Sequence, residues 1–355
     1  PSLVGFRKDH ICDYGHLINR NPSYIFKVSL NKPVSKSDIY EPYFARLAFN
    51  LQKETEACLD YLARYSLQIS GSTHLCFAGG VALNCVANEK LSSLVNHQLF
   101  VQPAAGDTGI AFGLALYACH SITGKYPTIN RINRDQSIKH SFYPYSSDTS
   151  NSINVEIDKH LNGDLSAIID QYSSDYSFDD IATLLANKNV GSIYHSSIEI
   201  GPRALGHRSF IADCRDSYMK IIMNEKIKHR EPYRPFAPII LEHFYQDYFE
   251  GEKSGLHSYM LGAPTCTSKA VEQTPAIVHV DNTARVQSIT PSNGLIYNIL
   301  SSYYDHTGVP VLINTSFNDN NEPIVFSFLD AFLCFIRTNC DFLILEHKLI
   351  HRKNI

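Results

Sequence analysis

A chain of 355 residues with 44% hydrophobic and 19% charged residues has the composition of a folded globular protein, long enough to bury one large core or two ordinary ones. Its formal net charge of −4 excludes a nucleic-acid binder held by bulk electrostatics, and no apolar run reaches membrane-spanning length. The 9 cysteines are odd in number and irregularly spaced. Five of them, Cys58, Cys76, Cys85, Cys119 and Cys334, lie among apolar neighbours, the pattern of reduced core residues in a cytoplasmic protein rather than of disulfides or zinc ligands. The sequence opens on Pro1 with neither an initiator Met nor a signal peptide, and reads as a fragment of a longer protein.

From Pro1 to about Lys36 there is no strong periodicity. Phe44, Leu47, Ala48, Leu51, Cys58, Leu59 and Leu62 then recur at spacings of three and four, which predicts a core-packing helix from about Tyr43 to Tyr65. His74–Ala78 reads as a buried strand, Gly79-Gly80 as a tight turn, and Val81 to Leu91 as a helix. A strand, a glycine turn and a helix start together offer free N–H groups and a helix dipole to an anion, although tight turns use glycine for steric reasons as well. Leu99–Val101 forms another short strand, and Ala104-Ala105-Gly106-Asp107-Thr108-Gly109 leads into an apolar helix from Ile110 to about Cys119, where Asp107 is a natural helix cap. The polar stretch from Ser121 to about Tyr176 reads as a connection between domains. Ser177 and Asp180 form a capping box for a helix to about Asn187, followed by a strand from Val190 to His195. The aromatic run Phe244–Phe249 reads as core. A helix over Leu295–Tyr304, a buried strand over Val309–Ile313 with the exit loop Asn314–Asn318, a helix over Ser327–Arg337 and a strand over Phe342–Leu345 complete the chain.

Between these elements lies Ile200-Gly201-Pro202-Arg203-Ala204-Leu205-Gly206-His207-Arg208-Ser209, continued by the basic, proline-rich stretch Lys226–Pro238. A charge run of this kind is usually a solvated loop. Here Arg203 and Arg208 are flanked by Ile200, Ala204, Leu205, Phe210 and Ile211, and Arg234 by Pro232 and Pro235-Phe236-Ala237-Pro238. Cations set among rigid apolar residues need an anionic partner, and arginine forks bind phosphate oxygens in pairs. The stretch therefore predicts a cradle for a small dianion.

Four motifs in order, Ala78–Asn88, Ala105–Gly109, the arginine-rich stretch and Thr307–Asn318, resemble the carboxy-terminal part of the O-carbamoyltransferases that act on nodulation factors, antibiotics and related natural products. The resemblance runs from roughly Phe44 to the end. It implies an α/β architecture: the second half of an actin-like ATPase domain over residues 1–125, a connection over 126–164, and a YrdC-like carboxy-terminal domain over 165–355. It also implies a two-step reaction, in which carbamoyl phosphate and ATP give carbamoyl adenylate and the carbamoyl group then passes to a hydroxyl of a small-molecule acceptor. Carried over residue by residue, Arg203, Arg208, Lys228, Arg230 and Arg234 would be catalytic. Arg285, Asn314, Ser316 and Asn318 would bind substrate, and Gly79, Gly80, Asn84 and Asn88 the nucleotide, with Gln52, Thr55 and Glu56 as weaker nucleotide-facing candidates. Asp107 would ligate a divalent metal, iron or magnesium, whose partner histidines belong to an upstream half-domain with no counterpart here; His10 and His16 fall outside any matching motif. The sequence departs from the family pattern at His207, Cys214, Glu89 and Asn321, where Asn, Pro, Gly and Gly are usual; Asn321 is expected to keep its turn, because Asn tolerates positive φ. The alternative is a non-catalytic anion- or nucleotide-binding remnant, or one subunit of a split enzyme whose other half acts in trans.

Overall fold

The computed structural model describes residues 42–96, 98–125, 171–196 and 198–355, arranged as two compact units, Pro1–Thr73 and His74–Ile355. The expected connection over 126–164, His10 and His16 lie outside the described residues. In the first unit helix α1 spans Pro42–Ser70, longer than its apolar repeat predicts. Leu51 and Leu62 of that repeat are exposed and Ala63 is buried. The spacing dictates a helix but not what covers its apolar side. Gln52 donates to Glu56 and Thr55 to the carbonyl of Leu51, so these three polar side chains are occupied along the helix itself.

The second unit begins with β1 (Leu75–Phe77), a 3-10 turn at Gly80–Leu83, α2 (Cys85–Leu94), β2 (Leu99–Val101) and α3 (Ile110–Thr123). β1 and β2 pair in parallel, Leu75 opposite Leu99. The helix predicted from Val81 starts late because Asn84 caps it, its side chain accepting from the N–H of Ala87. None of the residues of α3 is buried, although the helix is apolar on every side. Of the cysteines expected in the core, Cys334 is buried, Cys58, Cys85 and Cys119 are partly buried and Cys76 is exposed.

The rest of the unit is a mixed sheet with helices around it. Its strands are β3 (Ser173–Ser174), β4 (Gly191–Tyr194), β5 (Arg208–Asp213), β6 (Ala237–Leu241), β7 (Gln287–Ile289), β8 (Val311–Ser316), β9 (Phe342–Leu345) and β10 (Lys348–His351), in the order β3-β10-β9-β4-β5-β8-β6-β7. The helices are α4 (Phe178–Ala186), closed by the predicted Ser177–Asp180 capping box, α5 (Tyr218–Ile222), α6 (Tyr245–Tyr248), α7 (Ser268–Gln273), α8 (Leu295–Thr307) and α9 (Phe328–Arg337). One core packs α4 and α8 over Ile193, Ile211, Ile239 and Leu312; the other gathers Phe210, Phe236, Tyr245, Tyr248, Phe317 and Phe335. Successive residues of β5 thus enter different cores, as the period-two alternation of a strand requires. The whole strand is buried, Arg208, Ser209 and Asp213 along with its apolar residues.

At Gly206 the loop entering β5 has φ +107, and a Cβ there would stand 2.8 Å from Cγ2 of Ile296. We predict that Gly206→Ala lowers the unfolding free energy by about 1–3 kcal/mol, from backbone strain and contact with α8. Urea unfolding checks this, and an unchanged midpoint would show that the loop relaxes without cost.

Candidate active site

The pairing pattern brings the basic residues together. β4 and β9 are parallel, β4 and β5 antiparallel, β8 antiparallel to both β5 and β6, and β7 parallel to β6. The carboxyl ends of β4, β8 and β9 therefore share one sheet edge with the amino ends of β5, β6 and β7. Arg203 lies in the loop ahead of β5. Lys228, Arg230 and Arg234 lie in the stretch ahead of β6, Arg285 stands two residues before β7, and Asn318 follows β8. Since β5, β8, β6 and β7 are successive neighbours about 4.8 Å apart, segments distant in sequence meet within roughly 15 Å.

The loop ahead of β5 is shaped by Glu199, a buried residue that the sequence reading did not single out. Its Oε1 accepts from the backbone N–H groups of Leu205, His207 and Arg208 at 2.8, 2.8 and 3.2 Å. An acid two residues ahead of a Gly-Pro-Arg turn, in an otherwise basic and apolar stretch, was the available signal. Asn314 and Gln287 hold the other side of the loop, donating to the carbonyls of Ala204 and Leu205 at 2.8 and 2.9 Å. Gly201 packs over Pro103 and Ala104, placing this loop against the segment that leads to Asp107.

Arg208, expected to be catalytic, is tied to the backbone around the loop. Its guanidinium donates to the carbonyls of His195, Ser196 and His207 and lies 3.6 Å above the Tyr194 ring. These bonds hold the backbone around the loop, while its Nε is buried with no hydrogen-bond partner among the described residues. Asn314 belongs to β8, not to an exit loop; its NH2 donates to Ala204 and Gln287, and its Oδ1 is buried with no hydrogen-bond partner among the described residues. Arg234 is exposed and paired with Glu231 at 2.8 Å.

Lys228 is buried. Its Nζ donates to the carbonyls of Ser316 and Asn318 and to Asn318 Oδ1 at 2.9, 2.6 and 2.6 Å, and Ser316 Oγ donates to the same Oδ1 at 2.5 Å. The three side chains form one hydrogen-bonded unit at the end of β8. Burial, reinforced by the charge of Arg230, pushes the Lys228 amine down to about 7.

Arg203, Arg230 and Arg285 are different. Burial and then the neighbouring charge of Arg234 push Arg230 down to about 10; burial and then Arg203 push Arg285 down to about 10; burial also lowers Arg203. The Nε atoms of Arg203 and Arg285 are sealed from solvent with no hydrogen-bond partner among the described residues. Arg230 donates to Asn224 and lies over the Phe236 ring. Cations gathered in a desolvated edge have a charge balance that an anion would relieve.

The glycine turn reaches the same region. Gly79 donates to the carbonyl of Ala105, and Cys85, the first residue of α2, lies within electrostatic reach of both Arg203 and Arg285. Gly79 and Gly80 are exposed, and a Cβ at either would meet nothing within 4 Å. Asn88 is fully buried, and its NH2 donates to the carbonyls of Ala82 and Leu261, which anchors α2. Glu89, one of the departures from the family pattern, pairs at 2.8 Å with the buried His257. Asn321 keeps its turn at φ +61. Asp107 is exposed in the first turn of a 3-10 segment, and the following α3 is capped by Gly109 rather than by its side chain. Among the described residues no group of three or more His, Cys, Asp or Glu could hold a metal ion.

A cluster of buried basic residues at the edge of a mixed sheet marks an α/β protein with a desolvated basic site. Residues 48–116 match the family described as Carbamoyltransferase N-terminus, and residues 182–352 match Carbamoyltransferase C-terminus. The chain belongs to the carbamoyltransferase family, a family of transferase enzymes. It is 38% identical over 322 residues to an uncharacterized protein of Synechocystis sp., covering 85% of this chain and 51% of that protein. Nodulation protein NolO of Bradyrhizobium diazoefficiens is 35% identical over 308 residues, with 86% and 54% covered, and Nodulation protein NolNO of Sinorhizobium fredii is 32% identical over 323 residues, with 86% and 44% covered. The chain spans about half the length of the curated relatives it matches. No helix among the described residues is long and apolar enough to cross a membrane.

Lys228 makes the site pH-dependent in a definite sense. Below about pH 7 the folded and unfolded chains both carry its proton, and the full cost of burying the charge is present. Between about 7 and its ordinary 10.5 only the unfolded chain keeps the proton, so stability rises with pH across that window. Relative to Lys228→Met, wild type should gain up to about 1.4 kcal/mol per pH unit there. Urea unfolding of both chains across the window measures the difference, and a flat one would show that the amine titrates at its ordinary value.

Proposed function

We propose that this chain carries the carbamoyl-phosphate site of a carbamoyltransferase, which uses carbamoyl phosphate and ATP to form carbamoyl adenylate and transfers the carbamoyl group to a hydroxyl of a small-molecule acceptor. The observation that supports it is the cluster of Arg203, Arg230 and Arg285, all depressed by burial, and Arg230 and Arg285 also by neighbouring arginines. Arg203 and Arg285 would hold the phosphate, and Arg230 would offset negative charge developing during transfer. The Lys228–Ser316–Asn318 unit would fix the carbamoyl end by hydrogen bonds. In this scheme carbamoyl phosphate and water give carbamate and phosphate, and carbamate displaces pyrophosphate from ATP. Gly79 and Gly80 face open space and fit a nucleotide phosphate; Asn84, as the cap of α2, would keep the helix start beside it.

Asp107 alone does not make a metal centre, so no step is routed through a metal. Helix α3 argues for a further partner. Ile110, Leu114, Tyr117 and Ile122 are all exposed, whereas a helix apolar on every side is normally covered. We propose that a polypeptide segment completing the amino-terminal domain covers it and supplies the rest of the acceptor site, in the same chain or in trans.

Calorimetry with inorganic phosphate and carbamoyl phosphate tests the cradle. Charge-assisted hydrogen bonds are worth about 1.5–3 kcal/mol each, so Arg203→Ala and Arg285→Ala should each weaken binding by roughly tenfold or more. Affinity equal to wild type in both variants would remove the cradle. Arg234→Ala, at an exposed and paired arginine, should cost less than either.

A further inference from the structure

The two oxygens of Glu199 are in opposite states. Oε1 is saturated by three backbone N–H groups. Oε2 is sealed from solvent and has no hydrogen-bond partner among the described residues, in a side chain whose residue is only 7% exposed. A buried acceptor without a donor is costly, and a donor supplied by a bound molecule would relieve that cost. The ten-residue loop folded on Oε1 also carries Arg203, whose Nε is a sealed donor with no partner of its own among the described residues. One loop therefore offers an anion-seeking guanidinium and a hydrogen-seeking carboxylate.

These two demands select a kind of ligand. A phosphate dianion suits the arginine but is repelled by the carboxylate. A neutral amide suits the carboxylate and leaves the arginine unmet. A molecule that joins an N–H donor to a phosphate answers both. We infer that Glu199 Oε2 accepts a hydrogen bond from the –NH2 of carbamoyl phosphate, making Glu199 a specificity residue that favours this amide-bearing phosphate over acyl phosphates without an N–H. This deepens the cradle reading above and rests on it. Acetyl phosphate has nearly the same shape, with a methyl where the amide nitrogen stands, and would leave Oε2 buried and unpaired. Sites built to hydrogen-bond a substrate N–H reject the analogue lacking it for that reason.

The test uses the full 355-residue chain and titrates inorganic phosphate, carbamoyl phosphate and acetyl phosphate by calorimetry. Wild type should bind carbamoyl phosphate about 10- to 100-fold more tightly than acetyl phosphate. In Glu199→Gln the side-chain oxygen can still accept from the loop N–H groups, which turns the new –NH2 toward the ligand, and the ratio should fall toward one. Equal affinities in wild type, or an unchanged ratio in Glu199→Gln, would overturn the assignment while leaving the cradle intact. Absence of phosphate binding in wild type would instead overturn the cradle and this assignment with it. Should Glu199→Gln bind none of the three, a crystal structure of wild type with phosphonoacetamide, a stable analogue, decides: an amide nitrogen within about 3.2 Å of Oε2 supports the assignment, and one placed elsewhere ends it.

Discussion

A single carboxylate oxygen, Glu199 Oε1, bonded to the N–H groups of Leu205, His207 and Arg208, holds the geometry on which the site depends. Without it three backbone donors at the edge of the sheet would need other partners, since the strand ladder begins only at Arg208. With it the chain folds back on itself between β4 and β5, and Arg203 is carried to the tip of a closed loop. Arg208 completes the lock from the other side, tying His195, Ser196 and His207 by their carbonyls. Acid and base thus serve the backbone here, which leaves Arg203 available.

The arginines of this protein divide into two kinds by how their charge is met. Arg215 is bonded to the buried Asp213, which also accepts from Tyr303, and the carboxylate raises its basicity. Arg352 spends its guanidinium on the carbonyls of Cys340 and Thr338. These arginines are structural and satisfied. Arg203, Arg230 and Arg285 are depressed instead of raised, because burial removes water from all three and, at Arg230 and Arg285, nearby positive charge adds repulsion. A fold that pairs arginines such as Arg215 and Arg352 and gathers three under such conditions at one edge holds unfavourable charge there.

The first strand pair and the large sheet are joined through α2. Asn88 reaches the carbonyl of Leu261, and Glu89 reaches His257, which is also bonded to Ser254 and Tyr245. Gly262 leaves room for this contact: a Cβ there would lie 2.5 Å from Glu89 Oε2. A residue that departs from the family pattern thereby fixes the helix whose first turn faces the arginines. The glycine turn and the cradle are positioned by the same buried hydrogen bonds.

Much of this was legible from residue order alone. Apolar periods of two and of three to four located the strands and helices, and the Ser177–Asp180 box marked the start of α4. The density of arginine among apolar residues pointed to a desolvated basic site. Those signals are local, because strand alternation, helix periodicity and capping depend on residues a few positions apart. Which arginine faces outward and which one braces the backbone depends on partners far along the chain. Arg203 and Arg208 are five positions apart in one motif, yet the second is consumed by carbonyls around Tyr194 and the first is not. Asn314 looked like a ligand group until its pairing within β8 brought it against Ala204 and Gln287. Glu199 looked like nothing, because a carboxylate becomes a loop anchor only when three N–H groups converge on it. Sequence by itself determined the elements, the basic character of the site and the family, all carried by neighbouring residues. Tertiary structure alone decided the division of labour among the charges, since burial and hydrogen-bond partnership are properties of the folded sheet edge and not of any segment that enters it.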